Sequence, residues 1–227
     1  THDNKITAKI FKEFGINKIT VSSIEMALYF RKLGFRDITI AFPVNVREHK
    51  KLKQLSANTK LGLLVSNSES ALMLTKLAGI KSDIWIEIDT GYNRSGIEWN
   101  NFNEIDNCIN TIQKSTELNF KGFLTHNGLT YSLNDKKSIL DSARDSISKM
   151  QSLKTKNAEL NPLISIGDTP SCSIITDFPG IDEIRPGNFV YYDLMMLRKG
   201  MCTQEQIAAT VFCPITDINN KRSEIVI

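Results

Sequence analysis

The sequence has 227 residues, of which 41% are hydrophobic and 23% are charged. This composition is typical of a folded globular protein and excludes disordered, collagen-like and coiled-coil chains. The 28 basic residues nearly balance the 25 acidic ones, so the net charge of +3 does not indicate a nucleic-acid partner. No apolar stretch approaches the roughly 18 residues of a membrane span, and the polar opening stretch does not resemble a signal peptide. We therefore expect a cytoplasmic protein without membrane contacts.

Short apolar runs alternate with longer amphipathic segments along the chain. The runs predict seven β-strands, at 18–21, 37–42, 61–65, 83–89, 119–125, 163–166 and 181–184. Helical spacing of apolar residues follows between them, at 24–33, 71–78 and 138–153. Such alternation is typical of parallel βαβ units and favours a (β/α)8 barrel or a doubly wound sheet. The strands are not followed by G-x-G-x-x-G, which disfavours a dinucleotide-binding fold.

Both ends of the pattern differ from a complete barrel. Seven strands are one short of eight, and the chain opens on a helix-like segment, so we expect the first strand of a (β/α)8 barrel to lie outside this chain. Beyond Arg185, the runs 207–212 and 224–227 predict strands joined by a turn-rich stretch at 216–222. We therefore predict a barrel domain at 1–200 and the start of a truncated C-terminal β domain at 201–227.

The cysteines and histidines restrict the possible chemistry. Four cysteines lie far apart without a C-x-x-C pair, which indicates free thiols rather than a zinc site or a disulfide framework. Of the three histidines, at positions 2, 49 and 126, His49 lies in a polar run and is predicted to be a solvated helix residue. His126 follows a strand, where a general base or a packed ring are both consistent with the sequence.

Polar residues collect where the predicted strands end, which is the position of barrel active sites. Arg94 and Arg185 each follow a strand; a buried arginine needs an anion, either a ligand or an ion pair with a neighbouring carboxylate. After the seventh strand of such a barrel, Gly167, Thr169 and Pro170 could form a phosphate cradle at a helix N-terminus, or an ordinary turn capped by Thr169. The Gly187-Asn188 turn after the last strand allows the same two interpretations.

Four motifs occur in one order: 89–96 (DTGYNRSG), 125–128 (THNG) with Tyr131, 166–170 (IGDTP), and 183–187 (EIRPG). Together they resemble the D-threonine aldolase and D-serine dehydratase family, which belongs to the alanine-racemase-like, fold-type III pyridoxal phosphate (PLP) enzymes. The resemblance covers nearly the whole chain. It implies a PLP-binding barrel followed by a β domain, and a homodimer.

The resemblance also implies roles for individual residues. Arg94 would lie near the cofactor ring, and Arg185 would face its pyridine nitrogen and keep that nitrogen unprotonated. The expected catalytic residues are His126, Tyr131 and Arg94. The expected cofactor-binding residues are Ser22, Arg94, Tyr131, Gly167, Thr169, Arg185, Gly187 and Asn188. Asp168 departs from the family pattern, which often has Gly or Ser there.

Two further implications concern groups outside the chain. In this family the lysine that carries PLP lies in a segment resembling R-P-H-x-K-T-H-K, so Thr1-His2 would match its T-H and the lysine would immediately precede Thr1. The family also implies a divalent metal, zinc or manganese, near the substrate hydroxyl. Its ligands would come from the absent C-terminal region, because no metal ligands are predicted in this chain.

The expected function is therefore a PLP-dependent lyase acting on a D-β-hydroxy amino acid. D-Threonine would be cleaved to glycine and acetaldehyde, and D-serine would be converted to pyruvate and ammonia; the sequence does not choose between them. One alternative is an amino-acid racemase, which would need a second base. Another is a non-catalytic PLP-binding protein that maintains cofactor balance, against which the strand-like residues after position 205 argue.

Overall fold

The structure is a computed structural model and describes residues 4–227. The predicted match of Thr1 and His2 to the lysine-containing motif lies outside these residues. The described strands are β1 Lys18–Val21, β2 Asp37–Pro43, β3 Lys60–Val65, β4 Ser82–Asp89, β5 Ile97–Glu98, β6 Leu118–Thr125, β7 Leu163–Ile166, β8 Glu183–Ile184, β9 Asp217–Asn219 and β10 Glu224–Val226. The α-helices are α1 Lys5–Glu13, α2 Ile24–Lys32, α3 His49–Ser56, α4 Ser68–Thr75, α5 Phe102–Gln113, α6 Lys136–Lys156, α7 Thr169–Ile174 and α8 Leu194–Arg198.

The main sheet is parallel and follows the chain. Its order is β1-β2-β3-β4-β6-β7-β8, and the short β5 pairs with β4 outside this path. All seven predicted strands of the barrel region are present, with boundaries shifted by no more than two residues. The α/β prediction is confirmed as a curled, barrel-like parallel sheet, which within residues 4–227 is open between β1 and β8.

Side-chain alternation along the strands separates two apolar layers. On β4, Ile84, Ile86 and Ile88 belong to the large core between the sheet and the helices. Trp85 points to the other face and packs with Leu64 and Leu124 inside the curved sheet. Because successive residues of a strand face opposite sides, Glu87 shares the inner face with Trp85.

Helices cover the outer face through apolar stripes at helical spacing. In α5, the residues Ile105, Cys108, Ile109 and Ile112 are buried, and the Asn101 side chain caps the first turn by accepting a hydrogen bond from the Glu104 N–H. None of the helices of residues 4–227 is both long and apolar enough to cross a membrane. The four cysteines are free, as predicted.

The C-terminal segment differs from its predicted structure. No strand forms at 207–212, and β9 lies instead within the stretch predicted as a turn, where it pairs antiparallel with β10. A strand needs a partner for its backbone groups, and apolar residues alone do not supply one. Val211 and Phe212 are 88% and 97% exposed, so this run contacts little of the described chain. The division at residue 200 stays a prediction.

Candidate functional site

A cavity of about 480 Å³ lies between the free edges of β1 and β8. Its apolar wall includes Phe11 and Val190, whereas Ser22, Arg185 and Gly187 contribute from the carboxyl ends of the two strands. These last three are predicted cofactor-binding residues, and the structure brings them to one cavity. The cavity size lies in the range typical of small-molecule sites.

Arg185 is the most strongly held of these residues. Its side chain is 8% exposed, and Nε donates to Ser165 Oγ at 2.6 Å while Nη2 donates to the Thr125 carbonyl at 2.6 Å. The alternative ion pair is also present, since Nε lies 3.7 Å from Glu183 Oε1. Burial lowers the pKa of Arg185 to about 10, which leaves the guanidinium charged at neutral pH. Its hydrogen bonds within residues 4–227 come from Nε and Nη2, which leaves Nη1 for a ligand.

The loops after β6, β7 and β8 are joined by hydrogen bonds at Thr169. The Thr169 N–H donates to the Tyr131 hydroxyl at 3.0 Å, and Thr169 Oγ1 accepts from the Asn188 N–H at 2.9 Å. Thr169 is the first residue of α7, so the alternative interpretation, in which Thr169 caps the helix, is wrong. Asp168 is the cap, because its short carboxylate side chain reaches the Ser171 N–H at 2.8 Å.

The two predicted phosphate-binding glycines have different surroundings. A Cβ at Gly167 would lie 2.5 Å from the Arg185 carbonyl oxygen, so close packing of the two strand ends already requires glycine there. A Cβ at Gly187 would meet nothing within 4 Å. Since Gly187 lines the cavity, this open space is available to a ligand.

His126 is fixed by the end of β7. Its Nδ1 lies 2.7 Å from the Gly167 carbonyl oxygen, and because a carbonyl only accepts, Nδ1 carries the proton. Burial lowers the pKa of His126, so the neutral ring with an unprotonated Nε2 is favoured. The ring centroid lies 5.8 Å from that of Tyr92 and 6.0 Å from that of Tyr131. The predicted catalytic residues His126 and Tyr131 are therefore neighbours.

Arg94 is not buried, contrary to the expectation from its strand-end position. It is exposed, and its guanidinium lies over the Tyr92 ring at 5.2 Å from the centroid. The reason is the tight loop after β4, in which the Asp89 carboxylate accepts from the N–H groups of Gly91 and Asn93 and turns the chain outward. Arg94 is thus connected to His126 through the Tyr92 ring.

A buried carboxylate lies beneath the same loop. Glu87 is 4% exposed; Oε1 accepts from the Ser95 hydroxyl at 2.8 Å, and Oε2 has no hydrogen-bond partner within residues 4–227. Burial raises the pKa of Glu87, and the hydrogen bond from Ser95 and the charges of Arg94 and Arg185 oppose that shift.

Sequence reasoning assigned no role to Ser165 and considered Glu183 only as an ion-pair partner. Both face inward beside Arg185, and Ser165 Oγ lies 2.6 Å from Glu183 Oε1. A signal was present: Ser165 is the polar residue of an otherwise apolar strand, and its parity matches that of Gly167. No cluster of three or more His, Cys, Asp or Glu side chains in the described chain could hold a metal ion. The metal expectation therefore depends entirely on groups beyond these residues.

Comparisons with known proteins identify relatives of the chain. The chain is 28% identical to D-threo-3-hydroxyaspartate dehydratase of Delftia sp. (strain HT23), over 88% of this chain and 54% of that protein. It is 27% identical to D-serine dehydratase of Dictyostelium discoideum, over 92% of this chain and 57% of that protein. It therefore spans just over half the length of these relatives.

Solved structures show the same fold. D-threo-3-hydroxyaspartate dehydratase from Delftia sp. HT23 superposes with a TM-score of 0.82 at 27% identity, over 89% of this chain and 55% of that one. D-threonine aldolase from Filomicrobium marinum superposes with a TM-score of 0.76 at 18% identity, over 91% of this chain and 57% of that one, which shows the fold alone. The sequence profile described as "Alanine racemase, N-terminal domain" matches residues 2–194. The chain belongs to the alanine racemase N-terminal domain family.

Proposed function

We propose that this chain forms the PLP-binding part of a lyase that acts on a D-β-hydroxy amino acid. The observation that carries the proposal is the buried, charged Arg185 at a cavity between strand ends. The two dehydratases support the substrate class, because they match nearly this whole chain. Whether the reaction is a dehydration, an aldol cleavage or a racemisation depends on the whole protein.

The residues present fit PLP. The cavity has the volume of a small-molecule site, and the space beside Gly187 is open. Arg185 is a hydrogen-bond donor that does not release its proton at neutral pH, which suits an unprotonated pyridine nitrogen. Lys18 is the lysine among the described residues that line the cavity, but it lies at the amino end of β1 in an ion pair with Glu183. The lysine that carries PLP is therefore proposed, on the resemblance, to precede Thr1.

Each remaining site residue would have a distinct task. Bound PLP supplies an electron sink for bond cleavage at the substrate Cα. Ser22 and Gly187 would contact the cofactor from the two cavity walls, and the Thr169 hydroxyl and Asn188 would contact its phosphate. The neutral His126, with Nδ1–H committed to Gly167, can accept a proton only at Nε2. Arg94, which is exposed and lies over the Tyr92 ring, would contact the cofactor or substrate from the solvent-exposed edge of the site.

The proposal is tested by absorbance and product analysis. Purified protein is incubated with PLP, and the visible absorbance of the bound cofactor is recorded. D-Serine, D-threonine, D-threo-3-hydroxyaspartate and D-alanine are then supplied separately, with their L-enantiomers as controls. A visible band together with a keto acid and ammonia, or with glycine and an aldehyde, from a D-hydroxy substrate supports the lyase. Interconversion of the alanine enantiomers would instead identify a racemase, and a band without turnover a PLP carrier; either result overturns the proposal.

A further inference from the structure

A chain of hydrogen bonds connects Arg185 to a second charged group inside the sheet. Arg185 Nε–H donates to Ser165 Oγ at 2.6 Å, and Ser165 Oγ–H donates to Glu183 Oε1 at 2.6 Å. The direction is fixed, because a guanidinium only donates and an ionised carboxylate only accepts. Ser165 has no exposed surface, so water does not compete for either bond.

Strand register produces this arrangement. Ser165 on β7 is the direct neighbour of Glu183 on β8, and Arg185, which directly follows β8, lies two residues further on the same face. The other oxygen of Glu183, Oε2, forms an ion pair with Lys18 on β1. The carboxylate of Glu183 is therefore held from two sides, with Ser165 between it and the guanidinium.

We propose that Glu183 is a positioning residue that acts through Ser165 to hold the Arg185 guanidinium in one orientation at the cavity and to balance its charge. This inference rests on the proposed function, in which Arg185 faces the pyridine nitrogen of PLP. Ser165 does not line the cavity; Glu183 does, but Arg185 lies between it and the carboxyl end of the sheet, where the other residues of the proposed cofactor site collect.

Other titratable groups around Arg185 come from several elements: Glu87 on β4, His126 after β6, Asp168 and Cys172 at α7, and Glu183 on β8. Asp168 is engaged by Thr130 and Ser171, and Glu87 Oε1 by Ser95. His126 donates to Gly167, and burial raises the pKa of Cys172 to about 11, so neither supplies a negative charge at neutral pH. Glu183 is therefore the carboxylate that reaches Arg185 through a defined hydrogen-bond path.

The test compares two ligands that differ at one atom. PLP and its deaza analogue, in which carbon replaces the pyridine nitrogen, are titrated against wild-type protein and two variants. Ser165→Ala interrupts the hydrogen-bond chain and keeps both charges, whereas Glu183→Gln keeps an acceptor oxygen and removes the charge. Each variant should bind PLP at least about tenfold more weakly, because the hydrogen bond from the charged Arg185 guanidinium to the pyridine nitrogen would be weakened. Binding of the deaza analogue should change by less than about threefold, because it lacks the acceptor that Arg185 would contact.

A matched control exists elsewhere in the same sheet. Asp83 on β4 forms an ion pair with Lys121 at 3.3 Å and accepts from Asn119 Nδ2 at 2.8 Å, so it is held by one lysine and one neutral side chain, as Glu183 is. Asp83→Asn should leave binding of both ligands unchanged. If Glu183→Gln does not fold, as judged by circular dichroism, the binding data for Ser165→Ala alone test the positioning role.

The outcomes separate this inference from the function on which it rests. Wild-type protein that does not bind PLP overturns both. Wild-type protein that binds PLP, with variants that lose PLP and the deaza analogue equally or lose neither, overturns the positioning role and leaves the proposed function standing.

Discussion

At the scale of single residues, Thr169 connects the three loops that follow β6, β7 and β8. It has no exposed surface, its N–H is bound to Tyr131, and its hydroxyl oxygen accepts from the Asn188 N–H. The hydroxyl proton can still be donated, because the bond from Asn188 uses the hydroxyl oxygen only as an acceptor. One hydroxyl group therefore joins the loops after β7 and β8 and keeps a proton that it can donate.

Thr169→Val keeps the side-chain shape and removes that hydroxyl. If it meets the phosphate of PLP, its loss costs on the order of 1–3 kcal/mol, which weakens PLP binding by about 5- to 150-fold. Titration of PLP by absorbance measures the change, and Thr169→Ser, which keeps the hydroxyl, serves as the control. Unchanged affinity in Thr169→Val, together with a lower Tm, would mean that Thr169 only joins the two loops.

At the scale of secondary-structure elements, the Asp168 side chain caps the start of α7 and also holds the loop that follows β6. The Asp168 carboxylate accepts from the Ser171 N–H and hydroxyl, and from the Thr130 hydroxyl at 2.8 Å. Thr130 is followed by Tyr131, and Asp168 by Thr169, so this contact brings together the Tyr131 hydroxyl and the Thr169 N–H. The carboxylate at this departure from the family pattern has a clear structural use.

Asp168→Ala should therefore destabilise the protein by about 2 kcal/mol, because it removes a buried helix cap and an acceptor of a buried hydroxyl. Urea-induced unfolding followed by circular dichroism measures this change. Asp135→Ala is the matched control: Asp135 caps α6 with the same pair of bonds to Ser138, but it is exposed. A loss of stability in Asp168→Ala no larger than that in Asp135→Ala would contradict the role of the Thr130 contact.

The strands could be predicted from the sequence because both of their faces are buried, which gives runs such as Leu61–Val65 without polar interruption. The strand-end residues of the candidate site could be predicted for a different reason: parallel strands bring their carboxyl ends together. The predictions that failed depend on side-chain hydrogen bonds and on strand pairing, neither of which the pattern of apolar residues shows. Arg94 is turned outward by side-chain bonds of Asp89, and 207–212 has no neighbouring strand to pair with. The links from Ser165 appear only once the register of β7 against β8 is known.

At the scale of the whole molecule, the predicted dependence on a metal would distinguish the proposed lyase from its alternatives. The described residues hold no candidate metal cluster, so zinc or manganese would be bound by groups outside them. Treatment of purified protein with EDTA should therefore abolish turnover of D-serine or D-threonine and leave the absorbance of bound PLP unchanged. Added zinc or manganese should restore turnover. Turnover that persists in the chelator would contradict the metal prediction and favour the racemase.

Two glycines of the barrel region, Gly122 and Gly187, have opposite surroundings. In the middle of β6, a Cβ on Gly122 would lie 2.0 Å from the carbonyl oxygen of Leu163, the first residue of β7, beside the buried Trp85. A backbone atom in a parallel sheet cannot move aside without breaking pairing, so close packing itself requires this glycine. At the carboxyl ends, Gly187 borders the cavity, and the space beside it is open.

Gly122→Ala should thus destabilise the fold by about 3 kcal/mol or more, because the new methyl group overlaps backbone atoms. Gly187→Ala should leave the free energy of unfolding nearly unchanged, because its methyl group enters open space. The same methyl group should weaken PLP binding, since it occupies volume that the cofactor would use. Urea unfolding of both variants measures the change in stability, and PLP titration of both measures the change in affinity. Gly187→Ala protein that binds PLP as tightly as wild type would remove Gly187 from the cofactor site and place the phosphate elsewhere among the strand-end loops.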